Sequence, residues 1–275
     1  MPPAFDPDAA AAYLTAADAS LTGRVRVHLV QHQLAWHLPS PPARVLDVGG
    51  GAGHQAVPLA RQGYEVTIVD PSVAMLEEAA TRLADGPPEV AARVRLVPGR
   101  GEDLPQLVPG RFEVVLCHGV LLYLEDPDPL LRGVASVLAP GGLVSLLTLQ
   151  QPSLALRLAL GHRWTEALSA LDADHEVGVL GLPTRAETPE TLAARLEALA
   201  VAPLAWYGGW LFADLLGPLD LPDGELEAFL ALELEGSRRD PYRRLSRVFH
   251  LLGRGTASAP RAGAPQAVRP PIPSA

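Results

Sequence analysis

Between residues 44 and 150, short β-branched or apolar runs alternate with helix-patterned segments, and this alternation constrains the fold more than any other feature. Arg44–Val48, Tyr64–Asp70, Val94–Val97, Phe112–Cys117 and Leu143–Leu149 read as strands, the last preceded by the turn Pro140-Gly141-Gly142. Gln55–Arg61, the stretch from the Ser72 cap to Leu83, and the apolar segment after Pro127 read as helices. Strands of one sheet joined through helices lie parallel, with right-handed crossovers. Their nearly continuous apolar character suits a sheet covered on both faces. The expected fold class is α/β, with a doubly wound, mostly parallel sheet.

The flanks complete one expected domain over residues 1–254. Residues 1–40 form an N-terminal helical cap in which Val27, Leu29, Val30, Leu34 and Leu38 recur at helical spacing until Ser40-Pro41-Pro42 breaks the pattern. Residues 44–150 are the core. Residues 151–185 have weak periodicity and read as a helical insertion or lid. In 186–254, Thr188 and Pro189 open a helix, and Val201–Phe212 and Arg247–Leu252 read as closing strands. Residues 255–275 are mostly Ala, Pro, Gly and Ser, which bury little, and are expected to be disordered.

Composition excludes several classes. The net charge of -9 argues against a general nucleic-acid binder, which carries a basic domain, though it leaves room for a local basic patch; no DNA partner is expected. A single cysteine, Cys117, rules out an intrachain disulfide and a Cys-rich metal site. No basic-then-apolar leader opens the chain, and no uninterrupted apolar run is long enough to span a bilayer. The expected location is the cytoplasm, with no membrane partner; oligomeric state is not legible. His28 and His32 have the i, i+4 spacing of a zinc pair, but no HExxH-type motif accompanies them, so no metal is expected.

The chemistry concentrates after the first strand. Asp47 ends it, and Gly49, Gly51 and Gly53 follow at alternating positions, so that backbone can approach a ligand at the strand's carboxyl end. The free N–H groups of the next helix point toward an acidic part of that ligand. Asp70, at the end of the second strand and followed by Pro71, is placed to accept both hydroxyls of a ribose. These features serve an adenosylmethionine enzyme and a nicotinamide enzyme equally. The Gly101-Glu102-Asp103-Leu104 turn after the third strand adds an acid for an adenine amino group.

In order, LDVGGGAG, VDPS, GED, the VLCHGVLLYLEDP segment and LAPGG resemble the motifs of class I S-adenosylmethionine-dependent methyltransferases across residues 44–150. That resemblance implies a Rossmann-like, seven-stranded sheet and S-adenosyl-L-methionine as cofactor, with S-adenosyl-L-homocysteine as product. Over roughly residues 5–254 the chain is also similar to the bacterial tRNA 5-carboxymethoxyuridine methyltransferases. Phe5-Asp6, Gly23–Arg26, the glycine loop, LCHGVLLYLEDP and ELEGSRRDPYRRLSRVFH carry this similarity. It implies a cofactor site of Arg26, Gly49, Gly50, Asp70, Glu102, Asp103 and His118, which joins Asp47, Gly51, Gly53 and Pro71 from the loop reading. One departure stands out: Trp210 occupies about the place of a family arginine, and an indole cannot grip a carboxylate in bidentate fashion.

The implied reaction is methyl transfer to a carboxylate or hydroxyl oxygen of a small molecule or modified tRNA nucleoside. A carboxylate needs no base. A hydroxyl does, and His118 is the catalytic candidate, against the alternative that it only packs on the cofactor. Trp206, Tyr207 and Trp210 suggest an aromatic wall for the acceptor or, equally, core packing. Tyr13, Tyr123 and Arg243 complete the expected acceptor contacts. The Arg238–Arg247 segment holds five arginines against one acid, Asp240, and reads as an RNA contact or a solvated face. An NAD(P)-dependent oxidoreductase and a non-catalytic cofactor-binding protein of the same fold remain alternatives.

Overall fold

In the computed structural model, which describes residues 20–178, 181–217, 221–222 and 224–256, the parallel strands order as the alternation requires. Strands β1 (Arg44–Val48), β2 (Glu65–Asp70), β3 (Val94–Pro98), β4 (Phe112–His118) and β5 (Leu138–Gln150) run parallel in the order β3-β2-β1-β4-β5. The order reverses between β1 and β4, so a crevice opens at their carboxyl ends. The hydrophobic runs of β1, β4 and β5 are buried along almost their whole length because helices cover both faces.

Helix α1 (Leu21–Ala35) is capped by Ser20, whose side chain accepts from Gly23 N at 3.0 Å. With α2 (Ala56–Arg61) and α3 (Val73–Ala84) it covers one face, through Val30, Leu34, Ala56, Leu59, Leu76 and Ala79. Helix α4 (Asp128–Val137) covers the other with Leu130, Leu131, Val134 and Val137. Two helices, α5 (Pro152–Leu160) and α6 (Trp164–Ala170), follow β5, and then a hairpin, β6 (His175–Val177) and β7 (Pro183–Glu187). Helix α7 (Pro189–Ala198) joins α4 on its face. It starts at a capping box in which Thr188 Oγ1 accepts from Thr191 N at 3.1 Å. Thr188→Ala is expected to cost about 1 kcal/mol in denaturant unfolding, and an unchanged midpoint would show that the cap is idle.

The chain closes with β8 (Val201–Gly209), α8 (Leu211–Leu216), α9 (Leu226–Gly236) and β9 (Val248–Gly255). Strand β9 inserts antiparallel between β5 and β8. This antiparallel strand sets the sheet apart from the dinucleotide-binding order, in which the sixth strand continues the parallel run.

Three expectations need correction. Among the described residues the sheet has nine strands rather than seven, because the segment expected to be a helical insertion ends in the β6–β7 hairpin. Strand β4 pairs with β5 as far as Leu147, and β9 holds the other edge of β5 to Leu149. Strand β7 therefore takes the edge that β4 vacates, pairing Ala186 with Leu149 and Glu187 with Gln150. The Pro140–Gly142 turn is absorbed into β5 as an irregularity with Gly141 at φ 72°. The strand expected over Val201–Phe212 stops at Gly209, because Trp210 turns left-handed (φ 58°) and starts α8. The expected disordered tail, apart from Gly255 and Thr256, lies outside the described residues, as do Tyr13 and Phe5-Asp6. Among the described residues no helix is long and apolar enough to cross a membrane.

Candidate functional site

The glycine loop works because its backbone leaves the ordinary regions. Gly49 (φ 66°) and Gly51 (φ 52°) are both left-handed, and a Cβ on Gly49 would fall inside 3.0 Å of Val120. The loop is tied to the neighbouring strand by Gly49 N to Val69 O at 2.7 Å. Asp70 ties it again: its Oδ2 accepts from Gly51 N at 2.9 Å and its Oδ1 from Ser72 N at 2.8 Å. Burial pushes the Asp70 pKa up, and the two backbone N–H groups pull against it.

These elements wall a cavity of about 590 Å³ at the β1/β4 switch point. Gly49, Gly50, Gly51, Asp70, Pro71, Glu102, His118 and Tyr123 all line it. The β6–β7 hairpin supplies the opposite wall with His175, Leu182, Pro183 and Arg185. Arg185 is held by Glu187 at 2.9 Å, and Glu187 also meets Arg195 of α7 at 3.5 Å. A smaller recess joins Arg26, Asp47, Gly49, Gly50, His54 and His118. Arg26, far away in sequence, is thus brought to the glycine loop by α1.

Asp47 is 3 % exposed, and its pKa rises to about 7, from burial first and the Asp70 charge second, with Arg26 opposing. Folded Asp47 therefore holds its proton more tightly than the unfolded chain does, with its reference pKa of about 3.9. Its contribution to stability is full below about pH 4 and is lost as pH rises toward 7. Asp47→Asn is expected to stabilise the ligand-free protein at pH 8 by roughly 2–4 kcal/mol, with the gain shrinking toward pH 4. Urea titrations at both pH values measure this, and a pH-independent difference would contradict it.

His118 ends β4 and borders both the cavity and the recess. Its pKa is lowered to about 3, by burial first and Arg26 second, so the imidazole is neutral at physiological pH. Its Nε2 lies 2.7 Å from Ser145 Oγ, while Nδ1 is buried without a hydrogen-bond partner.

Other expected residues are placed elsewhere. Gly53 (φ 78°) sits under the loop against Val57 and Ile68, and Asp103 is exposed on its turn; neither lines the cavity. The aromatic wall is not assembled, because successive strand residues point to opposite faces. Trp206 lies beneath the guanidinium of Arg243, 4.2 Å from its ring centre, on the α4–α7 face. Tyr207 is on the other face, with its hydroxyl 2.7 Å from His37 Nε2. Trp210 packs between α1 and the closing helices with its indole nitrogen buried and unpartnered. The arginines of 238–247 all meet carboxylates: Arg238 and Arg239 meet Glu235, Arg243 and Arg244 meet Asp240, and Arg247 meets Glu176. His28 and His32 pack ring to ring, 4.0 Å between centres. Among the described residues no three His, Cys, Asp or Glu side chains gather as a metal site.

Sequence reasoning missed the hairpin residues and the partners of His118. No local pattern marks them, since Ser145, His250 and Gln33 look like ordinary strand and helix positions.

Residues 46–144 match the model of a methyltransferase domain. Ubiquinone biosynthesis O-methyltransferase of Caulobacter sp. (strain K31) is 40% identical over 121 residues, 44% of this chain and 46% of that protein. The chain thus spans about half the length of the first curated relatives it matches. tRNA 5-carboxymethoxyuridine methyltransferase of Escherichia coli (strain K12) is 26% identical over 211 residues, 77% of this chain and 79% of that protein. Among solved structures, magnesium protoporphyrin IX methyltransferase from Synechocystis PCC 6803, with bound S-adenosylhomocysteine, superposes with a TM-score of 0.56 at 16% identity, covering 86% of each chain. Residues 46–144 are thus similar to methyltransferase domains, and the described chain around them shares the α/β fold of that solved methyltransferase.

Proposed function

We propose that the protein is an S-adenosylmethionine-dependent methyltransferase acting on an oxygen, a carboxylate or hydroxyl, of a small molecule or modified tRNA nucleoside. The observation that carries this reading is the convergence of Arg26, Gly49, Gly50, Asp70, Glu102 and His118 on a cavity and a recess that share Gly49, Gly50 and His118 in their walls. Asp70 would take the ribose hydroxyls with its remaining lone pairs, Glu102 the adenine amino group, and the Arg26 guanidinium the amino-acid carboxylate. The glycine backbone leaves room for the chain between them. The cofactor supplies a methyl group already activated on a sulfonium. The protein's task is then to hold an acceptor oxygen in line, about 3–3.5 Å from that carbon, and to exclude water.

A cavity of about 590 Å³ has the size of a nucleoside site with room beside it. One relative supports oxygen as the acceptor atom, by its name as an O-methyltransferase. The arginine-rich segment does not favour RNA, because its guanidiniums already face carboxylates.

Calorimetric titration with S-adenosylhomocysteine, with NAD(P) as control, tests the cofactor. Micromolar binding of the former alone is expected, and preference for NAD(P) would sink the reading. Transfer of labelled methyl to carboxymethoxyuridine-containing tRNA or to catechols then separates the acceptor classes.

A further inference from the structure

A buried chain of hydrogen bonds runs from His118 across the sheet to α1. His118 Nε2 lies 2.7 Å from Ser145 Oγ, and Ser145 Oγ lies 2.6 Å from His250 Nε2. His250 Nδ1 is 2.7 Å from Gln33 Oε1. Gln33 Nε2 donates to the Gly208 carbonyl at 3.3 Å and to Ser237 Oγ at 3.1 Å. Ser145, His250, Gln33 and Ser237 are each at most 2 % exposed, so bulk water does not reach their side chains.

The direction of each bond follows from its anchored end. A carbonyl oxygen only accepts, so the Gly208 carbonyl forces the amide nitrogen of Gln33 toward it. Ser237 spends its own proton on Leu234 O, at 2.8 Å, and therefore also accepts. Gln33 Oε1 is left facing His250 Nδ1, which must carry a proton to make that bond. His250 is buried, with the His118 and His37 rings as titratable neighbours and the Tyr207 ring 6.3 Å away; none of its hydrogen-bond partners is a carboxylate. It is therefore neutral, and its Nε2 is a bare lone pair. Ser145 donates to that lone pair and can only accept from His118, whose Nε2 must carry the proton.

We propose that Ser145, His250 and Gln33 are positioning residues that hold His118 as its Nε2–H tautomer and leave Nδ1 as a lone pair for a hydrogen-bond donor of the bound ligand. Nδ1 is buried and unpartnered in the free protein, the state of an acceptor awaiting a donor. The inference rests on the methyltransferase reading only for that donor's identity. Two donors share the chemistry: the ammonium of the cofactor's amino-acid end, and the hydroxyl of an acceptor. A proton added to His250 would reverse the chain, making Ser145 the donor to His118 and moving the His118 proton to Nδ1.

The test is nitrogen NMR on histidine-labelled full-length protein at pH 7. The expected spectrum shows His118 protonated on Nε2 and His250 on Nδ1, the tautomer that free histidine disfavours. His250 on Nε2, or His118 on Nδ1, overturns the proposal without any variant having to fold. Gln33→Leu removes the acceptor for His250 Nδ1 and is expected to switch the tautomer of both rings, moving the His118 proton although residue 33 does not touch it. An unchanged His118 tautomer in a folded Gln33→Leu protein also overturns it. Titrating wild type with S-adenosylhomocysteine distinguishes the donors: a changed Nδ1 resonance assigns the ammonium, and an unchanged one in the bound state assigns the acceptor. Failure of S-adenosylhomocysteine to bind strikes the methyltransferase reading and leaves the tautomer result intact.

Discussion

Asp70→Ala is expected to weaken S-adenosylhomocysteine binding by about 100-fold or more, the largest single loss in the site. Asp70 ends β2 at 7 % exposure, and its carboxylate is aimed by Gly51 N and Ser72 N rather than left to rotate. Hydrogen bonds to a charged acceptor contribute about 1.5–3 kcal/mol each, so losing two to a ribose diol removes roughly 3 kcal/mol or more. Alanine also strips Gly51 N and Ser72 N of their acceptor and loosens the glycine loop. Asp70→Asn is the milder change, because it keeps the shape and one accepting oxygen, losing the charge and the acceptor for one of the two backbone N–H groups. Its expected loss is about tenfold. Calorimetry on both variants measures this, and two variants that bind like wild type would mean that no ribose sits at Asp70.

Gly133→Ala reverses a general rule. In an exposed helix interior this change stabilises by about 1 kcal/mol. Here a Cβ on Gly133 would fall inside 3.0 Å of the Gly101 carbonyl oxygen, which is backbone and cannot rotate aside. Overpacking of this kind costs about 1–3 kcal/mol and here outweighs the propensity gain, so a net loss of about 1–2 kcal/mol is expected. The turn that must move is Gly101–Asp103, which carries Glu102 to the cavity, so cofactor affinity should fall with stability. Thermal unfolding and calorimetry together check this. A variant at least as stable as wild type would show that α4 and this turn are not in contact.

Those two positions illustrate how differently function is written along the chain. Asp70 was legible because its neighbours in sequence are its neighbours in space: a β-branched strand, an acid at its end, a capping serine two residues on. Gly133 was not, since a glycine within a helix pattern carries no sign of the turn it lies against. The late ELEGSRRDPYRRLSRVFH segment resembled a family motif but did not disclose its work. Within it, Glu233 accepts from Leu211 N and Ala213 N at 3.2 and 2.7 Å, capping α8, and His250 reaches the His118 chain. Trp206, Tyr207 and Trp210, close in sequence, allowed either one aromatic surface or core packing. Strand alternation and the left-handed backbone at Trp210 send them to different places.

The sequence by itself determined the local elements: which runs form strands, the helices whose Ser72 and Thr188 caps close within three residues, and the glycine loop and the acid that ends β2. Each follows from a short-range periodicity or from one residue's backbone freedom, and neither needs the rest of the chain. Only the tertiary structure decided that β6 and β7 occupy the edge of β5 beyond β4, because backbone pairing across that distance asks little of side-chain pattern. Only it decided that Arg26 meets the glycine loop and that Gln33 answers His250. Buried polar groups must find partners wherever the fold puts them, and their addresses are fixed by packing rather than by spacing.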